Sequence, residues 1–195
     1  MDNLLFEFRA FAQNFGIVET KIRKLFELKS IEESEEIYIV SDFANQENVK
    51  IRDGRIEIKE LVSEEKRFEK WKPGYSAEFP VIKKTAFEKL NKALSVNLTS
   101  EKNKLNLEEM LEAFNSNNEI KLAKVFKRRF KFSGKDCYAE YVDVFVNGAL
   151  IKSVSLESEN LIAAVGQLKN LFLNDYENVN YVLAIKRILG MEPLP

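Results

Sequence analysis

The chain has 195 residues, of which 45% are hydrophobic and 31% are charged, and its formal net charge is −1. This length fits a single domain over residues 1–195 with a substantial buried core. The near-neutral charge provides no general attraction to nucleic acid, and no run of about 18 apolar residues is present to span a membrane. We therefore expect neither a nucleic acid nor a membrane as partner.

The histidine and cysteine content excludes several kinds of site. The chain has no histidine, so histidine triads and imidazole metal ligands are excluded. Its single cysteine, Cys137, lies in an alternating pattern that predicts a buried structural thiol. A bound metal would need oxygen ligands, which Mg²⁺ and Mn²⁺ prefer. Charged residues at positions 2, 7 and 9 interrupt any export signal, so we expect a cytoplasmic protein.

The first half of the chain predicts a strand, a helix and then three strands. Residues 4–11 alternate, which places Glu7 and Arg9 on one face of a strand. Residues 15–28 carry apolar side chains at helical spacing. Residues 30–36 are interpreted as an acidic connector, followed by a strand at 36–43. This order favours an antiparallel α+β layout.

Residues 48–60 predict a β-hairpin around the dipeptide Asp53-Gly54. A two-residue type I′ turn pairs Arg52 with Arg55 and Lys50 with Glu57. One face is then apolar and the other carries alternating charges. A solvated outer face is the simplest interpretation, and an anion-binding site is the alternative.

The second half predicts three consecutive antiparallel strands at 121–132, 138–146 and 151–159. Helices are predicted at 84–96, just after Asn106, at 160–172 and at 179–189. The register after Ser133-Gly134 stays open. A two-residue loop would put Lys127 beside Glu140, and a three-residue loop would put it on the face of Tyr141 and Asp143.

About eight strands with one apolar and one charged face predict an α+β fold, an eight-stranded antiparallel β-barrel with helices packed outside. The charged faces would line its interior, which would hold Glu7, Arg9, Lys50, Arg52, Lys59, Lys127, Arg129, Asp143 and Glu157. Buried charges need partners, so a cationic interior favours a polyanion, and neighbouring carboxylates favour a divalent metal. A triphosphate with Mg²⁺ satisfies both.

The order of these elements resembles the CYTH superfamily, the triphosphate tunnel metalloenzymes, which include thiamine triphosphatases, inorganic triphosphatases and class IV adenylyl cyclases. The family's opening Glu-x-Glu-x-Lys strand is similar to Leu5-Phe6-Glu7-Phe8-Arg9, with leucine for the first glutamate. Its basic strands resemble Val49-Lys50-Ile51-Arg52, Ile56-Glu57-Ile58-Lys59 and Lys127-Arg128-Arg129. Its closing Glu-x-Glu is similar to Ser155-Leu156-Glu157 or to Glu157-Ser158-Glu159, and its C-terminal helix to Asn178-Val179-Asn180-Tyr181.

The resemblance implies a metal-dependent phosphohydrolase that acts on inorganic, nucleoside or thiamine triphosphate bound in a cationic tunnel. The phosphates would be held by Arg9, Lys50, Arg52, Lys59, Lys127 and Arg129. Mg²⁺ or Mn²⁺ would be held by Glu7, Glu157 and Glu159. Asp143 completes the catalytic set, with Glu7 and Glu157, as a carboxylate for activating water.

Two other functions are kept as alternatives. Leu5 and Ser155 stand where the family has glutamates, which favours a non-catalytic binding protein for a phosphorylated or acidic ligand. A class IV-like adenylyl cyclase would need a nucleoside pocket, and the sequence shows none. The choice of triphosphate and the oligomeric state, with a homodimer as one option, stay open.

Overall fold

The computed structural model of the protein describes residues 4–192. Within them the strands are β1 Phe6–Ala12, β2 Glu27–Ser41, β3 Glu47–Arg52, β4 Arg55–Glu65, β5 Phe68–Glu78, β6 Val81–Ile82, β7 Lys104–Leu105, β8 Ile120–Ser133, β9 Tyr138–Val146 and β10 Ala149–Ser158. The helices are α1 Val18–Leu25, α2 Lys83–Leu94, α3 Leu107–Asn115, α4 Leu161–Asn170 and α5 Tyr181–Ile188.

Eight of the strands close into an antiparallel β-barrel in the order β1-β10-β9-β8-β2-β3-β4-β5. Strands β6 and β7 pair separately, with Val81 opposite Leu105. The predicted fold class, an eight-stranded antiparallel barrel accompanied by helices, is confirmed. Across residues 4–192, none of the helices combines the length and the apolar character that a membrane crossing requires.

The β3–β4 hairpin has the predicted register, with Arg52 opposite Arg55 and Lys50 opposite Glu57. Asp53 and Gly54 have φ angles of 49° and 71°, the left-handed conformation that both central residues of a type I′ turn adopt. The turn sequence therefore determines which side chains of the two strands share a face.

The predicted connector at residues 30–36 is wrong, because these residues belong to the long strand β2. Two of them contact cationic residues of β8. Lys131 Nζ lies 2.6 Å from Glu32 Oε2, and Arg129 Nη1 donates to Ser34 Oγ at 2.7 Å. Pairs of this kind stabilise a strand whose sequence alone looks like a solvated loop.

The helix caps follow the sequence closely. Asn106 Oδ1 accepts a hydrogen bond from the Glu109 backbone N–H at 2.9 Å, and Glu109 Oε2 accepts from the Asn106 backbone N–H at 2.9 Å. This capping box begins α3. Asn160 Oδ1 accepts from the Ile162 N–H at 2.9 Å and begins α4. Helix α1 is shorter than predicted, because the chain becomes extended at Phe26.

The chain comprises two compact units. Unit 1 contains residues 4–34, 61–72 and 126–180, and unit 2 contains residues 35–60, 73–125 and 181–192. In unit 1, Phe8 of β1 packs against Phe68, with 6.1 Å between ring centroids. The same core includes Ile22 of α1 and Leu168 of α4. Cys137 is buried there, as predicted.

Unit 2 has its own core. The apolar hairpin residues Val49 and Ile58 share this core with Leu90 of α2 and Phe114 of α3. On the charged side of β2, Tyr38 stacks on Tyr181 of α5, with ring centroids 5.7 Å apart. The prediction of one domain over residues 1–195 stays a prediction.

Candidate functional site

One cation on each of two barrel strands, β1 and β3, is buried. On β1, Phe8 and Ala10 belong to the core of unit 1, so alternation places Glu7 and Arg9 on the other face. Arg9 is nevertheless only 6% exposed. In unit 2, Lys50 of the hairpin is 7% exposed. A solvated outer face is therefore the wrong interpretation for Lys50 of the hairpin.

Arg9 is held by side chains from three strands. Its Nε donates to Glu7 Oε1 at 2.9 Å, its Nη1 to Ser153 Oγ at 3.3 Å, and its Nη2 to Glu140 Oε2 at 3.5 Å. We call Glu7, Arg9, Glu140 and Ser153 the Arg9 cluster. Its two carboxylates compensate the buried guanidinium, as a charge in this position requires.

The backbone of β1 is tied to the segment just before α5. The Arg9 N–H donates to Asn178 Oδ1 at 2.8 Å, and the Arg9 carbonyl accepts from the Val179 N–H at 2.7 Å. Asn180 Nδ2 donates to Glu69 Oε1 at 3.1 Å. The motif Asn178-Val179-Asn180 therefore positions residues of two strands in unit 1.

Three glutamates lie side by side across neighbouring strands of unit 1. Glu7 is directly opposite Glu157 on β10 and opposite Glu69 on β5. Glu69 is buried, and it accepts a hydrogen bond from Trp71 Nε1 at 2.9 Å. Burial raises the pKa of the Glu69 carboxyl, and the charge of Glu7 acts in the same direction. We call Glu7, Glu69 and Glu157 the carboxylate row.

Glu69 was missed in the sequence because residues 60–72 alternate too weakly to assign a strand. Glu159, in contrast, was predicted to be a metal ligand. In the structure it is exposed and follows the end of β10. Within residues 4–192, no three Asp, Glu or Cys side chains lie close enough together to hold a metal ion. The carboxylate row has the donor chemistry that Mg²⁺ and Mn²⁺ prefer.

A second charged cluster lies in unit 2. Lys50 Nζ is 3.3 Å from Glu36 Oε2 and 3.7 Å from Glu57 Oε2. Arg52 Nη2 lies 3.2 Å from Glu57 Oε1, and its Nη1 lies 3.8 Å from Glu36 Oε1. Burial lowers the pKa of Lys50, and the charge of Glu36 opposes that effect. We call Glu36, Lys50, Arg52 and Glu57 the Lys50 cluster, in which two carboxylates balance two cations.

The other predicted phosphate-binding residues differ in their surroundings. Lys127 is buried and Arg129 is half-buried, whereas Lys59 is exposed, opposite Asn48. Phe130 contacts Tyr141, with ring centroids 6.4 Å apart, so these two rings share a face. Alternation then puts Lys127 on the face of Glu140. Neither loop considered from the sequence is observed, because β8 extends to Ser133 and β9 begins only at Tyr138.

Asp143 is not brought together with Glu7 and Glu157. It is opposite Lys152 on β10, and Lys152 Nζ donates to its Oδ1 at 3.0 Å. Residues 139 and 141 of the same strand belong to the apolar core of unit 1. Asp143 therefore lies on the face of β9 that carries this core, and Glu140 lies on the other face.

A cavity of about 430 Å³ lies in unit 1 beside the carboxylate row. Its wall includes Glu157 of that row, Glu140 of the Arg9 cluster, and Ser155. Ser155 is fully buried and is directly opposite both Arg9 and Glu140. Its hydroxyl has no hydrogen-bond partner among residues 4–192.

Solved structures share this fold over nearly the whole chain. No protein-family model and no curated protein matches the sequence. The PH1012 protein from Pyrococcus horikoshii OT3 is 20% identical with a TM-score of 0.50, and the match covers 92% of this chain and 98% of that chain. An adenylate cyclase candidate from Bacillus halodurans is 9% identical with a TM-score of 0.51, covering 92% and 95%.

A further match is the adenylyl cyclase candidate HpAC1 from Hippeastrum, for which a dominant triphosphatase activity is described. It is 10% identical with a TM-score of 0.51, and the match covers 98% of each chain. The predicted resemblance to the CYTH superfamily is confirmed at the level of the fold. Identities this low show a shared fold, and the activity has to be argued from this chain's own residues.

Proposed function

We propose that this protein is a metal-dependent phosphohydrolase that acts on a triphosphate-containing small molecule. The observation that supports the proposal is the carboxylate row beside the buried Arg9 in unit 1. Phosphoryl transfer depends mainly on positioning and on neutralising charge. A buried guanidinium on the same strand face as Glu7 would supply a phosphate ligand, and Glu7 with the opposite Glu157 would supply two carboxylates for a metal. The CYTH fold is compatible with this activity.

Arg9 is the proposed phosphate ligand of the Arg9 cluster. One of its nitrogens donates to the neutral hydroxyl of Ser153. A phosphate oxygen is a stronger acceptor than a hydroxyl, because a hydrogen bond between two charged groups is roughly twice as strong as a neutral one. The substrate can therefore replace Ser153 as a partner of Arg9, while Glu7 continues to hold the guanidinium in place.

The carboxylate row would provide the remaining groups. Glu7 and Glu157 would hold Mg²⁺ or Mn²⁺, and the bound metal would neutralise charge on the transferring phosphoryl group. Glu69 is proposed to accept a proton from the attacking water, since its raised pKa makes it more basic than an ordinary carboxylate. Trp71 and Asn180 fix the orientation of Glu69 through their hydrogen bonds.

Further phosphate ligands are proposed on other strands. In unit 1 these are Lys127 and Arg129. In unit 2, taken by itself, Lys50 and Arg52 each contact Glu36 and Glu57 already, so a phosphate bound by them would compete with those carboxylates. Lys59 is the weakest member of the predicted set, because an exposed lysine keeps most of its hydration.

The test is release of phosphate from inorganic triphosphate, ATP and thiamine triphosphate, each with Mg²⁺, Mn²⁺ or EDTA. We expect turnover that requires the metal and that falls at least about tenfold in Glu157→Gln. Glu159→Gln is the matched control, since Glu159 is exposed beyond β10. Equal losses in both variants, or turnover that persists in EDTA, would contradict the proposed metal site.

A non-catalytic binding protein is the second candidate. Leu5 and Ser155 stand where the CYTH pattern has carboxylates, and a site with fewer carboxylates binds a metal less tightly. Thermal shifts measured in the same mixtures separate the two functions. A substrate-dependent rise in melting temperature without phosphate release would identify a binder, and cyclic AMP formed from ATP would identify a cyclase.

A further inference from the structure

The cavity of unit 1 has the size and position of a subsite next to the proposed reaction centre. Its volume of about 430 Å³ lies in the range of roughly 300–1,000 Å³ that is usual for small-molecule sites. Tyr138 and Glu157, both in its wall, are directly opposite each other on β9 and β10. A substrate group that fills the cavity would therefore be adjacent to the carboxylate row.

The lysines of the cavity are already neutralised. Lys29 forms an ion pair with Glu27, and Lys131 Nζ lies 2.6 Å from Glu32 Oε2. The hydrogen bond to Lys131 also lowers the pKa of the Glu32 carboxyl. The cavity is therefore poorly suited to a further phosphate group, and an uncharged part of a substrate fits it better.

The cavity offers hydroxyls and a carboxylate for hydrogen bonding. Ser30, Ser133 and Ser155 line it together with Glu140. Glu140 contacts Arg9 at 3.5 Å, a long distance for a charged hydrogen bond, so its oxygens keep capacity to accept further hydrogen bonds. A carboxylate beside several hydroxyls is suited to a ligand that carries neighbouring hydroxyl groups.

Ser155 supplies an independent indication of a ligand. It is fully buried, it lines the cavity, and its hydroxyl lacks a hydrogen-bond partner among the residues that the structure describes, 4–192. A buried hydroxyl without a partner is unfavourable, and in folded proteins such groups are nearly always satisfied. A ligand hydroxyl in the cavity would provide the missing hydrogen bond.

Tyr138 adds an aromatic surface. As the first residue of β9 it is 55% exposed, and it lies at the cavity. An exposed ring of this kind can stack on a planar heterocycle, and such stacking tolerates any nucleobase because every base has a flat π-face.

We propose that this cavity binds the nucleoside part of a nucleoside triphosphate, with Tyr138 stacking on the base and Glu140 and Ser155 hydrogen-bonding to the ribose hydroxyls. The inference rests on the proposed triphosphatase function and names its substrate class. Inorganic triphosphate lacks both a base and a ribose. Thiamine triphosphate lacks the pair of neighbouring hydroxyls.

The first experiment measures binding of adenosine and uridine by calorimetry, without phosphate or metal, so it does not depend on turnover. We expect saturable binding that weakens about tenfold in Tyr138→Ala. Phe172→Ala is the matched control, because Phe172 is 54% exposed, lies in the same unit and does not line the cavity. Glu140→Gln should weaken adenosine binding more than 2′,3′-dideoxyadenosine binding.

The second experiment compares KM values for ATP, UTP, inorganic triphosphate and thiamine triphosphate. We expect the two nucleotides to have the lowest KM, and the ratio of the ATP KM to the inorganic triphosphate KM to rise about tenfold in Tyr138→Ala. Phe172→Ala should leave that ratio unchanged.

The outcomes separate this inference from the function on which it rests. Nucleoside binding without turnover of any triphosphate would reject the hydrolase and support the nucleoside pocket. Turnover in which inorganic or thiamine triphosphate is preferred, without nucleoside binding, would support the hydrolase and reject the pocket. Absence of both binding and turnover would reject both.

Discussion

Arg9 and Ser155 lie directly opposite each other on β1 and β10. In one of the two alignments considered from the sequence, Ser155 occupies a position where the closing Glu-x-Glu pattern of the CYTH family has a carboxylate. The guanidinium of Arg9 instead contacts Glu7, Glu140 and Ser153. With serine in place of a carboxylate at position 155, a small buried hydroxyl lies beside the cavity of unit 1. This makes position 155 the most direct place to test the proposed metal site.

We predict that Ser155→Glu tightens Mg²⁺ binding on the order of tenfold, because a second carboxylate would stand next to Glu157 and affinity rises with the number of charged ligands. Calorimetric titration with Mg²⁺ and with Mn²⁺ measures the change. Ser155→Gln is the control of equal size without charge. If the two variants bind metal equally well, position 155 does not lie at the metal site.

We predict that Lys50→Met lowers the free energy of unfolding by about 3 kcal/mol. The fully buried Glu36 carboxylate would lose its ion pair with Lys50 and keep only the longer contact with Arg52, at 3.8 Å, among the ion pairs described above. Adding Glu36→Gln in the same chain should restore most of the stability, since no unpaired charge is then buried. Urea denaturation of both variants gives the comparison.

Activity of the same double variant separates a structural role of Lys50 from a role in substrate binding. If Lys50 binds phosphate, the double variant Lys50→Met with Glu36→Gln should regain most of its stability but turn over the substrate more slowly than the wild type. Recovery of turnover together with stability would show that Lys50 serves the fold alone.

We predict that the stability of Glu69→Gln relative to the wild type is greater at about pH 7 than at about pH 4, by on the order of 1 kcal/mol. The amide keeps only one of the two acceptors used by Trp71 and Asn180, so the pH dependence, and not the stability at one pH, reports on the charge. Because the pKa of Glu69 is raised in the folded protein above its ordinary value of 4.5, folding favours the protonated carboxyl. The penalty on the charged form is fully present above the raised pKa and disappears as the pH falls below the ordinary value.

Melting temperatures of the wild type and Glu69→Gln, measured from about pH 4 to about pH 7, test the predicted direction of the pH dependence. The difference in melting temperature between the two proteins should change in favour of the variant from about pH 4 to about pH 7. Glu65→Gln, at an exposed position of β4, should show no such pH dependence. A constant difference at every pH would contradict a raised pKa for Glu69.

We predict that Asp143→Asn leaves turnover within about twofold of the wild type, since Asp143 pairs with Lys152 on the face of β9 away from Glu140. Losing this partly exposed ion pair should change the free energy of unfolding by less than about 1 kcal/mol. Steady-state kinetics with the best substrate provides the measurement. A large loss of kcat with an unchanged melting temperature would show that Asp143 takes part in catalysis.

The sequence predicted the strands whose register is set locally. The dipeptide Asp53-Gly54 and the alternation on both sides of it determine the β3–β4 pairing without information from elsewhere in the chain. The capped helices α3 and α4 were predicted for the same reason, since Asn106 and Asn160 act on their own helices.

The predictions failed where a residue's role depends on a distant strand. Residues 30–36 belong to a strand whose side chains contact β8, almost a hundred positions along the chain: Glu32 pairs with Lys131, and Ser34 accepts a hydrogen bond from Arg129. Glu69 is recognisable only once its pairing with Glu7 is known. Asp143 was placed with Glu7 because no local signal decides which face of β9 carries the apolar core.

The division into two units has a consequence for protein engineering. Each unit is assembled from three separate stretches of sequence, and strands β2, β4, β5 and β8 each contribute residues to both. No terminal truncation can therefore yield either unit alone. A split reporter or a circular permutant would need its break in a loop outside those four strands, for example at Asn147-Gly148 between β9 and β10.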